Sequence, residues 1–146
     1  ACLHSLDRIE LAEKLATRLE QESRFMDVLI QVNTSGEESK FGVEPDDAVN
    51  FAARVSQFTR LRVKGLMTIG LFSTDLPKVR ACFQRLVKVQ QEVIAAGIAG
   101  VEMKELSMGM SGDLEVAIEE GATMVRVGTA VFGQRPTPDN FYWPSK

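Results

Sequence analysis

Two stretches hold most of the residues in this chain that could do chemistry: Leu-Ser-Met-Gly-Met-Ser at 106–111 and Met-Val-Arg-Val-Gly-Thr at 124–129. Ser107 and Ser111 bracket Met108, Gly109 and Met110, so two hydroxyls and a glycine share one corner. Arg126 stands inside an otherwise apolar run, and a buried guanidinium is costly unless a polar partner meets it. Gly128 lets a ligand come close to the backbone, and Thr129 adds a hydroxyl. The following Thr-Ala-Val-Phe-Gly can form a short helical turn, and free N–H groups at a helix start bind phosphate. Taken together, these residues could cradle a ligand with a phosphate at one end and a flat apolar ring at the other. Spacing alone leaves open a second reading, a methionine-rich turn beside a strand-end arginine in a surface ion pair.

The other chemistry-bearing residues are more dispersed. His4 is the sole histidine, and a lone strand-end histidine usually packs or hydrogen-bonds. Glu37 and Glu38 read as solvated loop carboxylates. Gly-Leu-Met-Thr-Ile-Gly at 65–70 lacks the lysine and the spacing of a phosphate-binding P-loop. Cys2 and Cys82 fit no metal or redox spacing and read as reduced thiols, which makes the cytoplasm the default compartment. A net charge of −3 supplies no basic stripe for nucleic acid. No apolar run approaches the roughly 20 residues of a membrane span.

The elements that must position these residues alternate regularly. Strand patterns cover 1–6, 26–33, 61–70, 101–108 and 123–128. Helical spacing covers 8–23, with Asp7 as N-cap, and 45–58, with Pro45 in the first turn. It recurs at 75–97, with Val79, Cys82, Phe83, Leu86, Val87, Val93 and Ile94 on one face and Gly97 at the end. A short fourth helix opens at Asp113 and closes at Gly121. Strands alternating with helices imply βαβ units and a parallel sheet. The choice is between an open doubly wound sheet and an arc of a (β/α)8 barrel. A whole barrel takes about 250 residues, so 146 residues hold about five of eight units. In either fold, ligands sit at the C-terminal ends of the strands. That rule selects the corners at His4-Ser5, Asn33 to Gly36, Met67-Thr68, Ser107 to Ser111 and Arg126 to Gly133.

His-Ser-Leu-Asp at 4–7, Val28 to Gly42, Gly65 to Gly70 and above all Glu105 to Gly133 resemble the pyridoxal 5′-phosphate homeostasis proteins. The likeness runs to about Gln134 and is most specific in the Leu106–Gly133 block. It implies the C-terminal part of a TIM-type, fold-type III barrel over 1–134, similar to the N-terminal domain of alanine racemase, with an irregular tail at 135–146. It implies a carrier or regulator of pyridoxal phosphate (PLP) in vitamin B6 homeostasis, without established catalysis; the alternative is a racemase-like PLP enzyme. Ser107, main-chain N–H groups near Met108 and those of Gly128 and Thr129 would hold the phosphate, with the Thr129 hydroxyl assisting. Arg126 would face the pyridine nitrogen, and Gly109 would allow close approach. A phosphate or sulfate ion could stand at the same place on the C-terminal face.

The family's Schiff-base lysine lies on a first strand that has no counterpart here. None of Lys14, Lys40, Lys64, Lys78, Lys88, Lys104 and Lys146 matches it; Lys64 and Lys104 lie on strands but well before their C-terminal ends. A racemase would also need an opposing base, and Tyr142 is the only tyrosine. An arc of five units leaves two sheet edges and an apolar inner face uncovered. The expectation is a segment of a longer protein, or a chain completed by a partner, and not an isolated monomer.

Overall fold

The computed structural model describes residues 1–37, 41–134 and Pro136. Its five strands are β1 (Cys2–Leu6), β2 (Met26–Gln31), β3 (Leu61–Met67), β4 (Val101–Met110) and β5 (Met124–Arg126). The helices between and after them are α1 (Ile9–Gln21), α2 (Ala48–Val55), α3 (Leu76–Ala95), α4 (Leu114–Glu119) and α5 (Thr129–Phe132), with a 3-10 turn at Pro45–Asp47 before α2. All four strand pairs are parallel, and the order in the sheet is the order in the chain, β1-β2-β3-β4-β5. Crossovers in parallel sheets are right-handed, so a sheet that never reverses direction receives every helix on one face. A doubly wound sheet needs a reversal. The sequential order therefore makes this an arc of a (β/α) barrel.

The core bears this out. Ala12 and Leu19 of α1, Phe51 and Val55 of α2, Phe83 and Leu86 of α3, and Val116 and Ala117 of α4 form one buried cluster with Val28, Ile30, Val63, Leu66 and Leu106 of the strands. Curvature shows in one distance. His4 on β1 and Ser107 on β4 approach to 3.0 Å through their side chains. Three interstrand spacings in a flat sheet would separate them by about 14 Å, more than a histidine and a serine can bridge. The sheet therefore curls toward the face opposite the helices.

Helix ends follow local chemistry. Asp75 caps α3 by accepting from the Lys78 N–H at 3.3 Å. Gly97, at φ +60°, follows its last turn. Cys82 is buried in α3 while Cys2 is exposed, and both are free thiols. Two expectations about helices do not hold. Asp7 does not cap α1: Arg8 takes that position with no side-chain cap, and the Asp7 carboxylate instead accepts from Arg8. On α3, Val89 is buried and Ile94 is 57% exposed, because an α-helix drifts off a fixed stripe over 20 residues.

The inner face also departs from expectation. Val28, Val63 and Met103 belong to the helix-side core, so their neighbours Asp27, Arg62, Lys64, Glu102 and Lys104 point the other way. They form ion pairs, two across strands, Asp27–Arg62 at 2.7 Å and Glu102–Lys64 at 2.6 Å, and one along β4, Glu102–Lys104 at 2.9 Å. Toward its N-terminal end the concave face is thus charged. Apolar groups line it further on, where Leu29 and Met67 are buried without joining the helix-side cluster. Both strand lysines of the arc's interior are committed to Glu102. Glu38 and Lys40 lie outside the described residues, as does almost all of the tail expected at 135–146.

Hydrogen bonds from Lys64 and Lys104 hold the Glu102 carboxyl at about 2, well below its ordinary 4.5. A depressed carboxyl favours the native state above its unfolded value, and that contribution is lost as pH falls through the folded one. Glu102→Gln is therefore expected to unfold at lower urea than the parent above pH 4.5, with the difference vanishing as pH falls toward about 2. Gly65 makes a sharper demand, since a Cβ there would lie 1.9 Å from the Glu105 carbonyl oxygen. Gly65→Ala is expected to lose about 3 kcal/mol or more in urea unfolding, because backbone cannot move aside as a side chain can.

Candidate functional site

Arg126 ends β5, and the strand ends of the arc converge on it. Its Nη1 donates to the Ser107 hydroxyl oxygen at 2.7 Å, and its Nη2 donates to the Thr68 carbonyl oxygen at 2.8 Å. Ser107 is fully buried, and its hydroxyl also meets His4 Nδ1 at 3.0 Å. Thr68 gathers the remaining strands. Its N–H donates to the Ser107 carbonyl, its hydroxyl donates to the Val32 carbonyl at 2.9 Å, and the Thr34 hydroxyl lies 2.9 Å from its own. Side chains or carbonyls on, or just after, all five strands thus meet in one hydrogen-bonded group.

The electrostatics of that group are unusual. Arg126 makes no ion pair among the described residues. Its hydrogen-bond partners among the described residues are a neutral hydroxyl and a carbonyl. Burial lowers the guanidinium's pKa, against the Asp113 carboxylate, which acts to raise it. The group stays charged in any case. A desolvated cation without a carboxylate is costly, and such groups mark functional sites more often than chance. Burial, with Arg126 second, also pushes His4 below its ordinary value.

A second cluster stands just beyond β4 and β5. The Ser111 hydroxyl oxygen accepts from two main-chain N–H groups, Gly128 and Ala130, each at 3.2 Å. Both donors belong to the start of α5, where N–H groups have no partner within the helix. A Cβ placed on Gly128 would meet open space, and its φ of −113° suits any residue. The glycine is therefore not there for conformation.

The residues expected to form a site fall into two groups. Arg126 and Ser107 are brought together, with Ser107 held by Arg126 and His4. Gly128 and the first turn of α5 sit instead with Ser111. Met108 joins neither group through its side chain, which is fully buried in the helix-side core. The corner itself differs from the expected turn: β4 runs on to Met110. Gly109, at φ +92°, would place a Cβ 2.5 Å from that of Ala117. The close approach it allows is to α4. Sequence reading marked the corners at His4 and Thr68 separately; nothing in the chain order signals that Ser107 and Arg126 would connect them.

Residues 1–136 match the alanine racemase N-terminal domain family. The chain belongs to that family. It is 41% identical over 133 residues to the pyridoxal phosphate homeostasis protein of Vibrio cholerae, covering 91% of this chain and 55% of that one. It is 36% identical over 146 residues to the human protein of the same name, covering 94% and 53%. Among solved structures it is similar to PipY of Synechococcus elongatus with PLP bound, at a TM-score of 0.81 and 31% identity over 90% of this chain and 60% of that one. The chain spans about half the length of the curated relatives it matches. Among the described residues, no helix is long and apolar enough to cross a membrane.

Ser107→Ala would strip Arg126 and His4 of a shared partner in a buried place. It is expected to cost about 1–3 kcal/mol in urea unfolding, and an unchanged midpoint would show the hydroxyl to be dispensable to the fold.

Proposed function

We propose that this chain forms the phosphate and ring-nitrogen side of a PLP site, and that the protein to which it belongs carries or regulates that cofactor without catalysing a reaction of its own. The observation that carries this reading is Arg126, a half-buried cation held by neutral acceptors at the C-terminal face of the arc. Beside it stands a hydroxyl with two main-chain N–H groups already turned toward it. The fit to an anionic, aromatic ligand is chemical. Ser111 with the Gly128 and Ala130 N–H groups suits phosphate oxygens, as does the adjacent Thr129 hydroxyl. Open space above Gly128 admits the ligand to the backbone. Arg126, backed by Ser107, suits the ring nitrogen. The PLP named in the relatives supports the same ligand.

PLP, when bound, supplies an electrophilic aldehyde and an electron-accepting ring. A guanidinium at the ring nitrogen cannot give up its proton and disfavours protonation of that nitrogen, which weakens the ring as an electron acceptor. This suits a carrier better than a racemase. The lysines of the arc interior, Lys64 and Lys104, are paired with Glu102, and Tyr142 lies outside the described residues. Residues 1–134 then form one part of a PLP-binding barrel domain, and the cytoplasm, where free thiols persist, is the compartment we assign.

Pyridoxine 5′-phosphate tests this reading, since it has the ring and the phosphate but no aldehyde. Saturable binding by fluorescence or equilibrium dialysis is expected. Arg126→Ala should weaken it about 10- to 100-fold while leaving competition by inorganic phosphate unchanged. Gly128→Ala should abolish both without moving the unfolding midpoint. No saturable binding by the parent chain would sink the proposal.

A further inference from the structure

The Ser107 hydroxyl has one hydrogen and two acceptor lone pairs. Arg126 offers only donors, so Nη1 at 2.7 Å uses a lone pair. The hydroxyl is fully buried, and its partners among the described residues are Arg126 and His4. The hydrogen is then satisfied by pointing at His4 Nδ1, 3.0 Å away. That requires a bare Nδ1, with the imidazole hydrogen on Nε2. If Nδ1 carried a hydrogen, the serine oxygen would face two donors and its own hydrogen would have no acceptor.

We propose that His4 is a positioning residue for Arg126, acting through Ser107: neutral and protonated on Nε2, it takes the Ser107 hydrogen and turns the serine lone pairs toward the guanidinium, and on protonation it reverses that bond and loosens Arg126. The consequence for a ligand rests on the proposed function; the linkage between the three side chains does not. Charged groups on the same concave face are Asp27 on β2, Arg62 and Lys64 on β3, Glu102, Lys104 and Glu105 on β4, and Arg126 on β5. Of these, Arg126 perturbs His4, and it acts in the same direction as burial, favouring the neutral ring. The neutral tautomer is therefore resident at neutral pH, and the reversal occurs below the ordinary histidine value of 6.5.

The single histidine makes the test direct. Nitrogen-15 spectra of the free chain near neutral pH should show hydrogen on Nε2 and none on Nδ1, and that preference should disappear in Ser107→Ala. The Arg126 Nε–H signal should shift with the His4 midpoint as pH falls. It should hold still in His4→Asn, whose side-chain oxygen accepts the serine hydrogen but does not titrate. Hydrogen on Nδ1, or an Arg126 signal indifferent to His4 in the folded parent, overturns the proposal. In binding, the ratio of parent to His4→Asn affinity for pyridoxine 5′-phosphate should fall about tenfold across the His4 midpoint. The ratio cancels titration of the ligand's own phosphate, so a constant ratio also overturns it. If neither chain binds at any pH, the proposed function fails and the spectra alone decide the role of His4.

Discussion

A guanidinium that makes no ion pair among the described residues is the constraint around which this arc is arranged. Arg126 must be hydrogen-bonded because it is desolvated, and the acceptors that reach it are a hydroxyl on β4 and the carbonyl that follows β3. Those acceptors are themselves held. Thr68 is tied to Val32 and Thr34, and Ser107 to His4. One cation therefore joins residues on or just after all five strands in a common network, and it does so with neutral groups.

The curvature of the sheet and the division of its faces serve that network. Register shifts interrupt every strand pair, as between Val63 and Gly65 against Val101 and Glu105. Each shift changes which residues face the helices. On β4, Met103 and then Leu106 both reach the core, which simple alternation would forbid, and Ser107 is thereby turned inward. Gly109 breaks alternation once more. Its positive φ lets it and Met108 both face the helix side, so β4 packs tightly on Ala117 of α4 before delivering Ser111 to the start of α5. Gly65 and Gly109 are thus packing glycines, whereas Gly128 keeps a surface open. The same residue type answers opposite needs within one site.

The concave face holds a gradient of chemistry. Near the N-terminal ends of the strands it is an ion-pair ladder through Asp27, Arg62, Lys64, Glu102 and Lys104. Near the C-terminal ends it becomes a desolvated polar network of hydroxyls, a histidine and an arginine. Charges are paired at one end of the arc, and at the other Arg126 meets neutral acceptors.

Much of this was legible in the chain itself. Alternating apolar periods located five strands and four principal helices, and the block from Leu106 to Gly133 identified the family and marked Arg126, Ser107, Gly128 and Thr129. Periodicity could not choose between a doubly wound sheet and a barrel arc, because both have the same element order; only the sequential pairing of strands decides it. Nor could it see the register shifts, since each moves a side chain to the other face without leaving a compositional trace. For that reason the inner face was expected to be apolar, and the packing of Gly109 against α4 was not foreseen. The partnership of His4 with Ser107, 103 positions apart, exists only because the sheet curls. Local sequence determines which groups are present at each strand end; the closure of the arc determines which of them share a hydrogen bond.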